Sequence, residues 1–486
     1  MAFKDLREFL DLLEERGELA RIKTPVSRDL EITEIADRVM KGPAEKNKAL
    51  LFENVQGFSS FPVAINLFGS ERRMAAALGV DDLEELNHRL AKLVDFRLPQ
   101  SLGPMIERGM DFLNVLKGIG VGPTIVSRAP VQEVIEKGAP TLDGLPILKC
   151  WPGDAGRFIT LMQVITRDPV TNARNVGMYR LQVLGERKLA MHWQLHKDGA
   201  EHERKAGEAK IPAAVVLGGD PASMWCASAP LPPNIDEYLL AGWLRGKPVE
   251  FVKCVSQPLE VPANAEIVIE GYVDPNEREM EGPFGDHTGY YTPAEPFPVF
   301  HVTAITRRRE AIYPTTIVGV PPVEDVYLGK ATERLFLPLL RLFLPEVIDY
   351  HMPPAGVFHN LVIVKIRKRY PGHARKVMFG IWGLGLMMLT KAIVVVDEWV
   401  DAHNYNEVAW QALGNVDWGR DVVHVDGAVD QLDHASYRQS FGGKIGIDAT
   451  AKGPGEGYER GWPDVARMDE ATKQKIDALW DRLGVG

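Results

Sequence analysis

The spacing of apolar positions changes character along the chain, and the changes divide it. Residues 5 to 16 place Leu6, Phe9, Leu10 and Leu13 on one helical face, with Asp5 and Glu8 spaced as a capping box and Gly17 as the stop. Apolar runs at 49–55 and 62–66 then interleave with helical patterns at 71–78 and 81–93, which predicts an N-terminal α/β unit over 1–124. From about residue 125 stretches rich in Val, Ile, Thr and aromatics follow one another with few helices between, at 157–167, 175–184, 188–195, 213–217, 266–273 and 299–306. Antiparallel strands in a barrel or sandwich over 125–310 are the economical reading, with Val183 to Lys188 as a hairpin and one helix starting at Asn234. A linker at 311–330 leads to a third unit, 331–486, whose first helical pattern, Lys330 to Leu344, is expected to kink or break at Pro338. Strands at 361–366, 392–396 and 422–425 alternate with helices after it, and a last helix, Glu470 to Leu483, stands behind a Gly-rich segment as a detached arm. The expected fold class is α+β and multidomain.

Composition narrows the partners. With 486 residues, 45% of them hydrophobic, the chain exceeds what one core needs. A net charge of −10 argues against nucleic acid, and Arg307-Arg308-Arg309 is too short a run to reverse that; it reads as a solvated strand end. Cys150, Cys226 and Cys254 lack C-x-x-C spacing, so neither a disulfide framework nor a zinc site is expected, and a reducing cytoplasm fits. The N-terminal residues are charged and lack an apolar signal core. The apolar run Val377 to Leu389 contains three glycines and falls short of the roughly 20 residues of a spanning helix, so no membrane span is expected.

Generic chemical motifs fail. Gly118 to Gly122 and Gly383 to Gly385 lack dinucleotide spacing, and no phosphate loop, H-E-x-x-H or G-x-S-x-G is present. The densest polar stretch is Glu277 to Tyr291, with Glu277, Glu279, Glu281, Asp286 and His287 among Gly282, Pro283, Gly285 and Gly289. Its glycines and proline predict a shaped loop, and two carboxyls held close would share a proton near neutral pH. Other candidates are weaker singly. Asn175 and Arg180 point to opposite faces of a strand unless Gly177 introduces a bulge. His192 and His196 fall on one face at i and i+4 and read first as a structural pair. Asn234 and Glu237 have capping-box spacing, and Lys391 is either a snorkelling helix end or a cation delivered to a site.

Together these stretches carry a resemblance. Asn175-Val-Gly-Met-Tyr-Arg180, Trp193 to His196, Asp236-Glu237-Tyr238, Val261 to Gly271 and above all Glu281-Gly-Pro-Phe-Gly-Asp-His-Thr-Gly-Tyr-Tyr291 resemble the UbiD family of decarboxylases, as do the opening helix and Asp29 to Arg38. The resemblance spans nearly the whole chain. It implies a central split β-barrel, flavin-reductase-like, between two α/β units, and a C-terminal helix used in oligomerisation. It also implies prenylated FMN with a divalent metal, usually manganese, and a potassium ion at the phosphate.

Carried onto matching positions, the resemblance makes Asn175, Glu237 and His196 metal ligands, with His192 the alternative third. Met178, Tyr179, Arg180, His192, Trp193, Gln194, Lys197, Asp198 and Lys391 fall at cofactor contacts. Arg180, Glu281 and Asp286 become the catalytic trio, with Asp286 standing where some family members have Glu. The implied activity is conversion of 4-hydroxy-3-polyprenylbenzoate to 2-polyprenylphenol in ubiquinone synthesis. Other aromatic or heteroaromatic acids, a menaquinone-pathway intermediate, and a non-decarboxylating FMN-binding role are the alternatives. A homo-oligomer, dimer or hexamer, dependent on a flavin prenyltransferase, is expected in the cytoplasm, with peripheral contact at the inner membrane left open.

Overall fold

The computed structural model describes residues 2–97, 122–232 and 235–484. The Gly118 motif and the helix start at Asn234 fall outside these. The first helix, Leu6–Glu15, buries Leu6, Phe9, Leu10 and Leu13, as the periodicity predicts. Its cap differs in one detail: Asp5 accepts from the Arg7 and Glu8 amides, but the Glu8 carboxylate accepts from Lys4 N rather than from the cap residue. Phe9 and Leu13 are fully buried, and each contributes about 2 kcal/mol or more.

This helix packs beside a four-stranded sheet, Leu19–Ile22, Ala49–Phe52, Val63–Ile65 and Tyr313–Pro314. The fourth strand comes from the stretch expected as a linker, where Tyr313 N bonds Pro62 O and Tyr313 is wholly buried. The central sheet has nine strands, all antiparallel, in the spatial order Phe158–Ile159, Leu181–Gly185, Lys188–Met191, Glu295–Arg307, Ile267–Glu281, Ile211–Leu217, Met162–Arg167, Arg174–Gly177, with Val134–Lys137 also on Glu295–Arg307. Its path stays open, with no closed barrel among the described residues. The expected hairpin joins Leu181–Gly185 to Lys188–Met191.

The five-stranded C-terminal sheet runs Val347–His351, Leu361–Ile366, Ala392–Asp397, Phe441–Asp448, Val422–Ala428, with parallel pairs in the middle and antiparallel edges. Its alternation sends Val362, Val364 and Ile366 to one core and Ile363 to another on the opposite face. The helix Asp325–Phe343 staples the halves together. Leu328, Ala331 and Leu335 belong to the core shared by the N-terminal and central parts, while Leu337 and Leu340 belong to the C-terminal core. Of the kink or break expected at Pro338, the break does not occur; the helix is continuous from Asp325 to Phe343.

Arg308 is not a solvated strand end. It lies 2.9 Å from Asp5 and 3.3 Å from the buried Glu266, tying the first helix to the central sheet. The run at 377–389 divides into a helix, His373–Trp382, and a 3₁₀ turn, Gly385–Leu389, with Val377, Met378 and Ile381 in the core. Among the described residues no helix is long and apolar enough to cross a membrane.

Candidate active site

The long strand Ile267–Glu281 delivers the first acid. Residues 277–281, expected in the loop, continue this strand because Glu295–Arg307 extends as far and pairs it up to Glu281↔Glu295. Glu277 and Glu279 bond Lys188 at 2.5 and 3.0 Å on the sheet surface, away from the site. The loop proper runs between two left-handed glycines, Gly282 (φ +91) and Gly289 (φ +82). Gly285 is needed for a different reason: a Cβ there would fall 2.3 Å from Trp151 Cδ1. Trp151, bonded to Val318 O at 2.8 Å, and Asp154, accepting from Gly285 N at 2.8 Å, hold the loop from outside. Asp286 lies buried at its turn.

Arg180 enters from a break in the sheet. The strand Arg174–Gly177 ends at Gly177, where a Cβ would meet the Tyr179 ring at 2.2 Å, and the next strand starts at Leu181. Strict alternation therefore fails between Asn175 and Arg180. Arg180 Nε donates to Glu281 Oε1 at 2.7 Å and Nη2 to Oε2 at 3.0 Å, while Nη1 donates to Asp286 Oδ2. His192 Nδ1 lies 3.1 Å from Glu281 Oε2, and since a carboxylate only accepts, that nitrogen carries the proton.

The charge pattern overturns the expectation of a shared proton. Burial by itself raises the Glu281 carboxyl, but the bonds from His192 and Arg180 bring it down to about 2. Asp286 is also held well below the usual carboxylate range; Arg180 and His287 outweigh its burial. A guanidinium between two carboxyls lets both ionise. His192 is lowered by burial and by Arg180, against the pull of Glu281.

Three neighbours had no role in the sequence reading, and two of them, His359 and Asp325, escaped it altogether. His287 Nδ1 is 2.9 Å from Asp286 Oδ1, and its Nε2 is 3.0 Å from Nε2 of His359, which comes from the C-terminal part. Asp325, first residue of the stapling helix, is raised to about 7 by burial and by the Asp286 charge, with His287 opposing. Distance in sequence hid His359 and Asp325; the placement of His287 beside an acid was the only signal available.

Of the remaining candidates, Tyr179 lies at the Gly177 break, and Trp193 and Lys197 gather around it. Tyr179 and Trp193 meet edge to face at 5.1 Å, Gly199 N donates to the Tyr179 hydroxyl at 3.1 Å, and Lys197 Nζ stands 5.8 Å from the Tyr179 ring centre. Asp198 opens the helix Asp198–Ala206. Met178 packs against both neighbouring cores. The expected strand at 193–196 is instead a turn, so the same-face reading of His192 and His196 fails: His192 goes to Glu281, whereas Gln194 Oε1 accepts from His196 N at 2.8 Å. Lys391 is paired with Asp433 at 2.8 Å on the C-terminal part.

Asn175 Nδ2 is 3.4 Å from the Tyr179 hydroxyl, and Glu237 Oε2 accepts from Val176 N at 2.8 Å. Asp236 caps the helix Glu237–Arg245 through Tyr238 N. Glu237 is buried with no cation paired to it among the described residues, and Nε2 of His196 and Nε1 of Trp193 are buried without a hydrogen-bond partner there. Such a set suits a hard divalent ion and a polar ligand. A second cluster, Glu333, His351 and His403, has metal-type residues, but Lys330 Nζ already bonds Glu333 at 2.7 Å and His403 at 3.1 Å, and Arg334 bonds Glu333 at 3.0 Å. It is an ion-pair network.

Comparison with known proteins gives this arrangement a family. The N-terminal, Rift-related and C-terminal domains of 3-octaprenyl-4-hydroxybenzoate carboxy-lyase match residues 10–93, 124–321 and 326–449. The chain belongs to the UbiD family. An uncharacterized relative from Archaeoglobus fulgidus is 51% identical over 494 residues, covering 99% of each chain. Among solved UbiD-like folds, the closed form of Sedimentibacter hydroxybenzoicus vanillic acid decarboxylase is 29% identical with a TM-score of 0.87, covering 100% of both chains. Its open form gives 0.79, with 28% identity and 99% of both chains covered. The UbiD-class enzyme HmfF from Pelotomaculum thermopropionicum in complex with FMN is 33% identical with a TM-score of 0.78, covering 96% of this chain and 99% of that one. An evolved dimeric HmfF is in complex with prFMN.

Proposed function

We propose that this UbiD-family protein is a non-oxidative aromatic acid decarboxylase that works with prenylated FMN and a divalent metal. The observation that carries the reading is Arg180, its side chain only 9% exposed and clamped between Glu281 and Asp286. Removing carbon dioxide from an aromatic ring leaves an electron pair on a ring carbon, and prenylated FMN, when bound, supplies an electron sink that no side chain offers. Arg180 would orient the substrate carboxylate, Glu281 and His192 keep Arg180 in place, and Asp286 delivers a proton to the ring carbon.

Asn175, Glu237 and His196 would hold the metal; two oxygen donors and one imidazole suit a divalent ion, and manganese is the one the family resemblance implies. The uncompensated Glu237 and the orphaned nitrogens of His196 and Trp193 support that assignment. Met178, Tyr179, Gln194, Lys197 and Asp198 would line the cofactor, with potassium at its phosphate. Lys391 would need to leave Asp433 to take part.

For the substrate we favour a hydroxylated benzoate. The apolar run at 377–389, the stretch best suited to line a channel for a polyprenyl tail, puts Val377, Met378 and Ile381 into the C-terminal core, and vanillic acid decarboxylase is among the similar structures. Protein coexpressed with a flavin prenyltransferase should release carbon dioxide from at least one unprenylated hydroxybenzoate faster than from 4-hydroxy-3-polyprenylbenzoate; the reverse order restores the ubiquinone assignment. Mass measurement of the bound flavin belongs in the same experiment, since an unmodified FMN in an inactive preparation favours a non-decarboxylating role. A homo-oligomer is also proposed: the terminal helices Glu470–Asp477 and Trp480–Leu483 bury no side chain, and Ile476, Trp480 and Leu483 are exposed. A monomer in solution scattering contradicts it.

A further inference from the structure

The proposed reaction consumes one proton for each carbon dioxide released, yet the acid assigned to deliver it is paired with Arg180 and stands ionised. A second group must hold that proton. Asp286 Oδ1, His287 and His359 form a hydrogen-bonded run, 2.9 Å from the carboxylate to Nδ1 and 3.0 Å from Nε2 to Nε2. The run crosses from the central loop to the C-terminal part. Its tautomers are restricted, because Asp286 as a carboxylate requires a proton on Nδ1 of His287. His287 is also faced by acids from three elements: Asp286 on its own loop, Asp325 on the stapling helix and Asp430 on the loop after Val422–Ala428. Phe358 stacks on its ring at 5.1 Å and 26°, fixing the plane.

We propose that His287, as an imidazolium oriented by His359, stores the proton that Asp286 passes to the ring carbon. This rests on the decarboxylase reading. The steps balance. Nδ1 of His287 gives its proton to Asp286 Oδ1, leaving a neutral ring whose Nε2–H still donates to His359 Nε2. The O–H bond of Asp286 then breaks as the C–H bond forms on the carbon that lost carbon dioxide. Solvent returns one proton to His287 Nδ1 after product leaves.

The surroundings agree. Despite its burial His287 is raised above the ordinary histidine value, by Asp286 first and then by Asp325 and Asp430. His359 is lowered to about 4 by burial and by the His287 charge, while Asp430, Asp433 and the Asn360 side chain pull the other way. It therefore stays neutral and accepts. The charges next beyond are Arg180 on Asp286 and Lys391 on Asp433, and Lys197 is coupled to Asp430. His359 acts through His287 as a positioning residue and links proton supply to the packing of the C-terminal part on the loop.

Histidine-labelled, cofactor-free full-length protein tests the store directly by nitrogen NMR. Both ring nitrogens of His287 should be protonated at pH 7, and both Asp286→Asn and His359→Phe should move its titration to lower pH. A neutral His287 at pH 7 overturns the proposal, whatever the enzyme does to any acid. In the cofactor-loaded enzyme, His287→Gln should lower kcat by about 10- to 100-fold with KM within about threefold, and His359→Phe by less. The alkaline limb of the kcat profile should move to lower pH in His359→Phe. An unchanged kcat, or a loss confined to KM, overturns the relay even if the wild type releases carbon dioxide normally. A wild type that releases none, with a protonated His287, contradicts the decarboxylase reading instead.

Discussion

Arg180 meets Glu281 edge to edge, Nε to Oε1 at 2.7 Å and Nη2 to Oε2 at 3.0 Å, which leaves its other terminal nitrogen for Asp286. A lysine cannot reproduce that fork. Arg180→Lys should keep the fold and lose about 100-fold or more in kcat/KM. Arg180→Met strands two buried carboxylates and should cost about 3–5 kcal/mol in urea unfolding. Retained activity in Arg180→Lys counts against the clamp.

The same pair has an acid signature. Glu281 is brought to about 2 in the folded protein, against about 4.3 in an unfolded chain. A depressed carboxyl stabilises the fold above its unfolded value and loses that contribution as pH falls through its folded value. The stability difference between wild type and Glu281→Gln should therefore shrink by about 2–3 kcal/mol between pH 5 and pH 2. Parallel curves from pH-dependent urea unfolding contradict the ionised state of Glu281.

Gly285 is a test of loop placement. An added Cβ meets Trp151 at 2.3 Å, so Gly285→Ala must move either the ring or the loop that carries Asp286. A loss of about 1–3 kcal/mol is expected, with kcat falling more than KM rises. Unchanged melting temperature and unchanged kcat show that the contact is dispensable.

Glu237 lacks a cation among the described residues, and Nε2 of His196 lacks a partner there. Glu237→Gln and His196→Ala should each lower the metal content of purified protein, read by elemental analysis, and reduce flavin retention with it. Full manganese occupancy in both variants contradicts the assigned ligands. Variants at His351 and His403 should leave metal content unchanged, since Lys330 and Arg334 already neutralise Glu333.

Much of the fold was legible because it rests on local periodicity. The first helix buries the four residues its spacing singled out, the Val183 to Lys188 stretch forms the expected hairpin turn, and the expected C-terminal strands pair in one sheet with cores on both faces. Failures came where tertiary contacts decide. Pro338 sits inside an unbroken helix because cores on both sides hold it, and residues 277–281 remain strand because a partner strand reaches them. In the site, Arg180, Glu281 and Asp286 were found through a motif, but their protonation was misjudged. Spacing brought two acids together and could not show a guanidinium inserted between them from 101 and 106 residues away. His359 and Asp325 had no local signal at all, since each reaches His287 or Asp286 only through the packing of the C-terminal part.

The account turns on Asp286 as the group that protonates the ring carbon. Its most direct measurement is carbon dioxide release from carboxyl-labelled aromatic acid by wild type and Asp286→Asn, both loaded with prenylated FMN to equal flavin absorbance. The expected result is turnover in the wild type and at least about a 100-fold loss in Asp286→Asn with the cofactor still bound. Release by Asp286→Asn at the wild-type rate would contradict it.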